Sequence, residues 1–151
     1  MRLALYHPAI PQNVGACIRL SACFGVELHV IEPVGFAFDD KAMKRAALDY
    51  GPLGHMTRHA DWDRFQAARG PGRLVLMTTK GAAPLDAFTF QPGDTLLMGS
   101  ETSGVPDGVH EVVDARVVIP LRPEARSLNL SVSAGIALFE GLRQTGGLTA
   151  R

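Results

Sequence analysis

The chain has 151 residues, 46% apolar and 20% charged, with fifteen basic and fifteen acidic side chains. A chain of one-domain length buries roughly two-thirds of the surface its unfolded state exposes, so it needs neither metal nor disulfide to hold a core. The composition excludes a disordered or low-complexity protein. No run approaches the roughly 20 apolar residues of a membrane span, and the apolar N-terminus is too short for a signal peptide.

The net charge of zero gives no bulk sign of a nucleic-acid partner, but the charges are unevenly spread. Residues 41–80 carry eight Lys/Arg against three acids, and residues 81–115 carry six acids and no Lys or Arg. A local basic surface is what phosphate binding requires, although solvated helix faces explain it equally well. Cys17 and Cys23 lie on one expected helix, about 240° apart around its axis, and so cannot bridge there. They read as thiols of a reduced, cytoplasmic protein.

In chain order, Leu3–Tyr6 reads as a first strand and Pro8–Asn13 as a loop. Val14–Phe24 has helical periodicity, with Asn13 as N-cap and Gly25 as stop. Leu28–Ile31 is a second strand. Asp39–Leu48 is a charged helix, His55–Arg58 a short strand, and Ala60–Arg69 an amphipathic helix with Trp62 and Phe65 on one face. Arg73–Thr78 and Thr95–Gly99 are buried-type strands. Asp107–Asp114 is a short helix and Arg116–Ile119 a further strand. Leu128–Gln144 is a long last helix with Leu130, Ala134, Ala137, Leu138 and Leu142 able to pack. Strands alternate with helices and are continuously apolar, as parallel strands covered on both faces are. One α/β domain over residues 1–151 is expected, without repeat or linker.

Ligands of open α/β sheets bind beyond the carboxyl ends of the strands. Four segments there mix glycine or proline with small polar residues: Pro11–Gly15, Thr78–Gly81, Gly99–Gly104 and Pro120–Ser131. None carries a dinucleotide or P-loop glycine pattern, nor a nucleophile elbow. No His, Cys or acidic cluster has metal-ligand spacing, so no metal is expected.

Arg19 lies about 140° around the first helix from Val14, off the core stripe, and Gly15 is one turn before it. A helical glycine costs about 1 kcal/mol relative to alanine, and room for a ligand beside Arg19 is one reason to keep it. A surface arginine beside a tolerated glycine is the other reading. Asn13 reads as a cap or as a ligand group. Glu101 stands at the mouth of any site at the end of its strand, unless its loop is merely surface. Ser127 or Asn129 caps the last helix or holds a ligand.

Together these segments resemble the three motifs of the SpoU branch of the SPOUT RNA methyltransferases. Asn13-Val14-Gly15 leading to Arg19 resembles motif one. Leu96–Gly104 resembles motif two. Ile119-Pro120-Leu121 followed by Ser127–Ser131 resembles motif three. The likeness spans the chain and has no appended RNA-binding domain. It is similar to the TrmL-like subgroup also in Ile10–Asn13, Leu28–Pro33, Gly35-Phe36 and Arg45–Tyr50.

The resemblance implies a parallel-sheet α/β fold with a deep C-terminal trefoil knot. It implies S-adenosylmethionine as cofactor, S-adenosylhomocysteine as product and no metal. Met77, Gly99, Ile119 and Ser127 would line the cofactor pocket, with Leu121 and Leu128 nearby. The activity implied is 2′-O-methylation of the wobble nucleotide, cytidine or modified uridine 34, in the tRNA anticodon loop. The enzyme would be a homodimer in which Arg19 completes a site built mostly by the partner, with Asn13, Glu101 and Asn129 orienting Arg19, ribose and cofactor. Lys41, Lys44, Arg45 and Arg58, with Arg19, are the expected phosphate contacts. Methylation at another tRNA or rRNA site, or a non-catalytic RNA-binding module of the same fold, are the alternatives.

Overall fold

The computed structural model describes residues 1–37, 56–80 and 83–149. The expected helix over 39–48, and with it Lys41, Lys44 and Arg45, lies outside the described residues. Seven strands form one sheet: β1 (Arg2–Tyr6), β2 (Glu27–Ile31), β3 (Met56–His59), β4 (Leu74–Met77), β5 (Ala83–Pro84), β6 (Thr95–Met98) and β7 (Ala115–Val118). Their order is β3-β2-β1-β6-β4-β7-β5, and every pairing is parallel. Among the described residues four helices accompany them: α1 (Pro11–Phe24), α2 (Trp62–Ala68), α3 (Asp107–Val112) and α4 (Leu130–Thr145). A short 3-10 turn over Leu85–Ala87 follows β5.

The two faces of the sheet explain the continuous apolar strands. Leu3, Leu5, Leu28, Val30, Leu96 and Met98 share a core with α1 and α4. The alternate residues Ala4, Tyr6, Ile31, Leu74, Leu76 and Leu97 pack with Phe65 of α2 and Val109 of α3. Successive side chains of a strand point to opposite faces, so burial on both leaves few places for polar residues. Helix α1 buries Val14, Cys17, Ile18 and Ser21 at helical spacing. Gly25 ends it at φ 65° in the left-handed region, the conformation glycine adopts without steric cost.

Helix α1 begins at Pro11, three residues before the expected start, and Ile10, not Asn13, is its N-cap. Proline fits the first turn because its missing N–H would be unpaired there anyway. Asn13 therefore sits inside the first turn, and its side chain is free for tertiary bonds. Asn129 does cap α4, accepting from Ser131 N at 2.9 Å and Val132 N at 3.3 Å. The two-residue strand β5 had no recognisable periodicity, being too short to show one.

Candidate active site

The order β1-β6-β4-β7 brings the carboxyl ends of four strands side by side. The segments that follow β4, β6 and β7 surround a cavity of about 450 Å³. That size lies within the roughly 300–1,000 Å³ usual for small-molecule and cofactor sites. Met77, Gly99, Ile119, Leu121, Ser127 and Leu128, which come from three distant stretches of sequence, all line it. So do Asn13, Glu101 and Asn129. Its walls combine apolar side chains with the hydroxyls of Thr78, Ser100, Ser103 and Ser133.

The loop after β6 is closed on itself. Ser100 N donates to Gly104 O over 3.0 Å, and Gly104 N returns to Ser100 O over 2.9 Å. A Cβ on Gly99 would meet the Gly104 carbonyl carbon at 2.8 Å and its Cα at 2.9 Å. Gly99 thus allows its own loop to close.

Closure of this loop aims Glu101 at the start of α1. Its Oε2 accepts from Ala9 N at 2.7 Å. Its Oε1 accepts from Ile10 N at 3.3 Å and from Asn13 Nδ2 at 2.8 Å. Ile10 offers no side-chain cap, and the first turn of α1 holds no acid. The carboxylate of Glu101 supplies the negative charge that a helix N-terminus favours.

Asn13 passes the connection on. Glu101 can only accept, so Asn13 presents its amide nitrogen to it and its oxygen to the other side. That oxygen accepts from Asn129 Nδ2 at 2.9 Å. The Oδ1 of Asn129 is meanwhile engaged by Ser131 N and Val132 N, which fixes the orientation of this amide as well. One hydrogen-bond line, Glu101–Asn13–Asn129, ties the loop after β6 to the first turns of α1 and α4. Both carboxylate oxygens of Glu101 are occupied, so its part here is to hold the site's shape.

Arg19 is exposed on α1 and does not line the cavity. Gly15, one turn earlier, is buried. Arg58 lies on β3, three strands from β6, a separation of about 14 Å at the usual strand spacing. Its Nε donates to Glu32 Oε1 over 2.6 Å. Cys17 is buried, and burial, aided by the charge of Glu101, pushes its thiol up to about 12. It stays a protonated core residue, and both Cys17 and Cys23 are free.

Sequence reasoning did not single out Lys80, His110 or Ser133, which also line the cavity. Lys80 belongs to the polar strand-end segment Thr78–Gly81, the signal that pointed to it. His110, on α3, carried no local pattern. Among the described residues no group of three or more His, Cys, Asp or Glu is placed to hold a metal ion. No helix among them is long and apolar enough to cross a membrane.

Comparison with known proteins agrees with this geometry. The family model described as the SpoU rRNA Methylase family matches residues 1–139. A relative from Beijerinckia indica, named tRNA (cytidine(34)-2'-O)-methyltransferase, is 51% identical over 148 residues, which are 97% of this chain and 92% of that protein. A solved structure concerned with 2-OH methylation of C/U34 on tRNA superposes with a TM-score of 0.88 at 38% identity, covering 97% of both chains. An AdoMet-bound rRNA methyltransferase from Sinorhizobium meliloti superposes with a TM-score of 0.81 at 27% identity, over 94% of this chain and 55% of that one. The parallel sheet, the cavity at its strand ends and the three motifs knitted around it are those of a methyltransferase scaffold, and the chain belongs to the SpoU methylase family.

Proposed function

We propose that this protein transfers a methyl group from S-adenosylmethionine to the ribose 2′-hydroxyl of nucleotide 34 in the tRNA anticodon loop. The observation that carries this reading is the Glu101–Asn13–Asn129 line, which joins all three motifs at one cavity. Relatives named for this reaction, aligned over nearly the whole chain, supply the substrate.

The cavity suits the cofactor. Met77, Ile119, Leu121 and Leu128 offer apolar surface to an adenine ring and a thioether chain, and Gly99 and Ser127 offer polar groups between them. When bound, S-adenosylmethionine supplies an electrophilic methyl on sulfur and leaves as S-adenosylhomocysteine, with no metal in the reaction. The thioether leaving group is neutral and needs no acid. A ribose hydroxyl barely ionises at neutral pH, so the chain's task is to orient it and let its proton go. A guanidinium stays charged in proteins, so Arg19 is not the base. Arg19 pairs with an RNA phosphate and sets the hydroxyl in line with the methyl, and a phosphate oxygen or water takes the proton. Positioning accounts for much of the rate.

Since Arg19 is exposed and outside its own chain's cavity, this reading includes a homodimer in which Arg19 serves the partner's site. Helix α4 carries Val132 at 50%, Ile136 at 40% and Phe139 at 49% exposure, a stripe at i, i+4 and i+7. Phe139 contacts Phe24 at the end of α1, with ring centroids 6.5 Å apart. The stripe thus runs on to the helix that bears Arg19, and a second copy covers it. Phe139→Asp should give a monomer in light scattering and abolish turnover. A variant that is monomeric yet active would remove the dimer from this proposal, and one that stays dimeric would place the interface away from this stripe.

The C-terminal knot belongs to the same proposal. The chain runs from β7, between β4 and β5, on to α4, which packs against α1 and β6. The 1–151 chain acts as one catalytic unit in the cytoplasm, where tRNA is modified. Lys41, Lys44, Arg45 and Arg58 contribute phosphate contacts, which makes binding weaken steeply with salt. The decisive test is transfer of labelled methyl to tRNA lacking 2′-O-methylation, followed by mapping of the label. Incorporation at the ribose of nucleotide 34 is expected. Incorporation at another position, or cofactor binding without transfer to tRNA, would defeat the assignment.

A further inference from the structure

Lys80 is the only lysine or arginine among the described residues that line the cavity. It stands two residues beyond Thr78, where β4 has ended, and its own N–H donates to Thr78 Oγ1 over 3.2 Å. That bond sets the turn and hence the direction from which the side chain leaves it. The residue is exposed, so the ammonium belongs to the rim and not to the apolar walls. Glu101 is the one carboxylate among the described residues of the lining, and its oxygens accept from Ala9, Ile10 and Asn13. Among the described residues Lys80 enters no ion pair.

A cation without an ion-pair partner at the mouth of a cavity raises the local concentration of an anionic partner. We propose that Lys80 binds the phosphodiester next to the target ribose and so is a further RNA-contacting residue of the site. This rests on the reading above, that an RNA ribose accepts the methyl. The carbon bearing a 2′-hydroxyl is bonded to the carbon bearing the 3′-phosphate. Any ribose that presents its 2′-oxygen to this cavity therefore carries a phosphate to its rim. A lysine suits that place, since it binds phosphate as a point charge on a flexible stem and can follow the backbone as the nucleotide seats. The rival anion is the carboxylate of the cofactor's amino-acid tail. The exposure of Lys80 favours the phosphate, because the RNA arrives from solvent.

The test compares wild type, Lys80→Ala and Lys80→Arg in methyl transfer to unmodified tRNA over a range of salt, with S-adenosylhomocysteine titrated calorimetrically into each. Lys80→Ala should raise the KM for tRNA on the order of tenfold, the loss of one charge-assisted contact. It should lower the salt slope of tRNA binding by about one. S-adenosylhomocysteine should bind as in wild type, which also shows that the variant is folded. Lys80→Arg should keep most of the tRNA affinity. Weaker S-adenosylhomocysteine binding with an unchanged KM for tRNA would give Lys80 to the cofactor carboxylate and overturn the proposal. Weakening of both would mark a disturbed cavity and overturn it too, as would no change in either. A wild type that methylates no tRNA would instead bring down the underlying reading, and this contact with it.

Discussion

Asn129 donates its side-chain amide to Asn13 over 2.9 Å, joining residues 116 positions apart in the chain. The same Asn129 side chain caps α4, so one residue holds a helix end and links two motifs. These two jobs can be separated. Asn129→Asp keeps the capping oxygen and loses the donor. Asn13 cannot compensate by turning over, since its oxygen would then face Glu101. The aspartate variant should retain the cap yet lose at least tenfold in turnover, with about 1 kcal/mol of stability lost to the unmade bond. Asn129→Ala should lose the cap as well, for a total of about 2 kcal/mol. Urea unfolding and methyl-transfer rates check both, and equal turnover of Asn129→Asp and wild type would disconnect this line from function.

Glu101 has three N–H donors around it and no free oxygen. Glu101→Gln replaces one acceptor with a donor, which leaves two N–H groups facing each other. A stability loss of about 1–3 kcal/mol is expected, together with weaker S-adenosylhomocysteine binding as the start of α1 shifts from the cavity. A glutamine variant that is as stable as wild type but inactive would point to a direct chemical role for the carboxylate.

Gly99→Ala should act through the loop backbone. Its Cβ would fall 2.8 Å from the Gly104 carbonyl carbon, closer than real Cβ contacts come. The loop must open, at a cost of about 1–3 kcal/mol for an overpacked site. Cofactor affinity should fall while the far strands β2 and β3 keep their hydrogen-exchange protection. Unchanged S-adenosylhomocysteine binding would show that the closed loop is not needed.

Stability should fall in mild acid because of a histidine pair. His29 Nδ1 and His59 Nε2 lie 2.9 Å apart, both side chains are buried, and Phe65 packs edge-on against each ring. Burial lowers the pKa of both, and for His29 the neighbouring His59 lowers it further while Glu27 opposes the shift. A histidine whose folded pKa lies below its unfolded value binds its proton more readily after unfolding. The stabilising contribution is therefore complete above the unfolded value of about 6.5 and is lost as pH falls through the folded pKa. Melting temperatures measured from pH 8 to pH 5 should decline below about pH 6.5. His29→Phe should flatten that decline, and an equally steep fall in this variant would place the effect elsewhere.

Arg19 separates the two halves of the proposed dimer site. Arg19→Ala should fold, dimerise and bind S-adenosylhomocysteine, since the side chain is exposed and outside the cavity. Turnover should be lost, and Arg19→Lys should recover little of it, because a lysine lacks the planar two-point grip on phosphate. Mixing inactive Arg19→Ala with Gly99→Ala, at a cofactor concentration too low to fill the Gly99→Ala cavity, should restore activity if the arginine acts across the interface. No recovery after subunit exchange would assign Arg19 to its own chain's site.

Much of this protein was legible from local pattern. Apolar runs of four and three residues marked the strands Leu74–Met77 and Thr95–Met98, and period-3.6 apolar spacing marked α1 and α4. Those signals are strong because the packing that reads them repeats along each element. The motif residues were legible too, as small polar groups at strand ends where a sheet leaves room. Helix starts were less so: Pro11 and Asn13 both suit an N-terminus, and nothing local chose between them.

By itself, then, the sequence determined the alternation of strands and helices, the covering of the sheet on both faces and the three motifs, since each depends on neighbours a few positions away. Only the tertiary structure decided that β6 enters between β1 and β4, because strand order is set by which faces pack and leaves no mark within a strand. That insertion brings Glu101 to the start of α1 and so turns Asn13 from an apparent cap into a bridge to Asn129. The same placement leaves Arg19 outside the cavity and Lys80 on its rim. A hydrogen bond across 116 residues depends on where whole elements are set, and no periodicity of the chain encodes that distance.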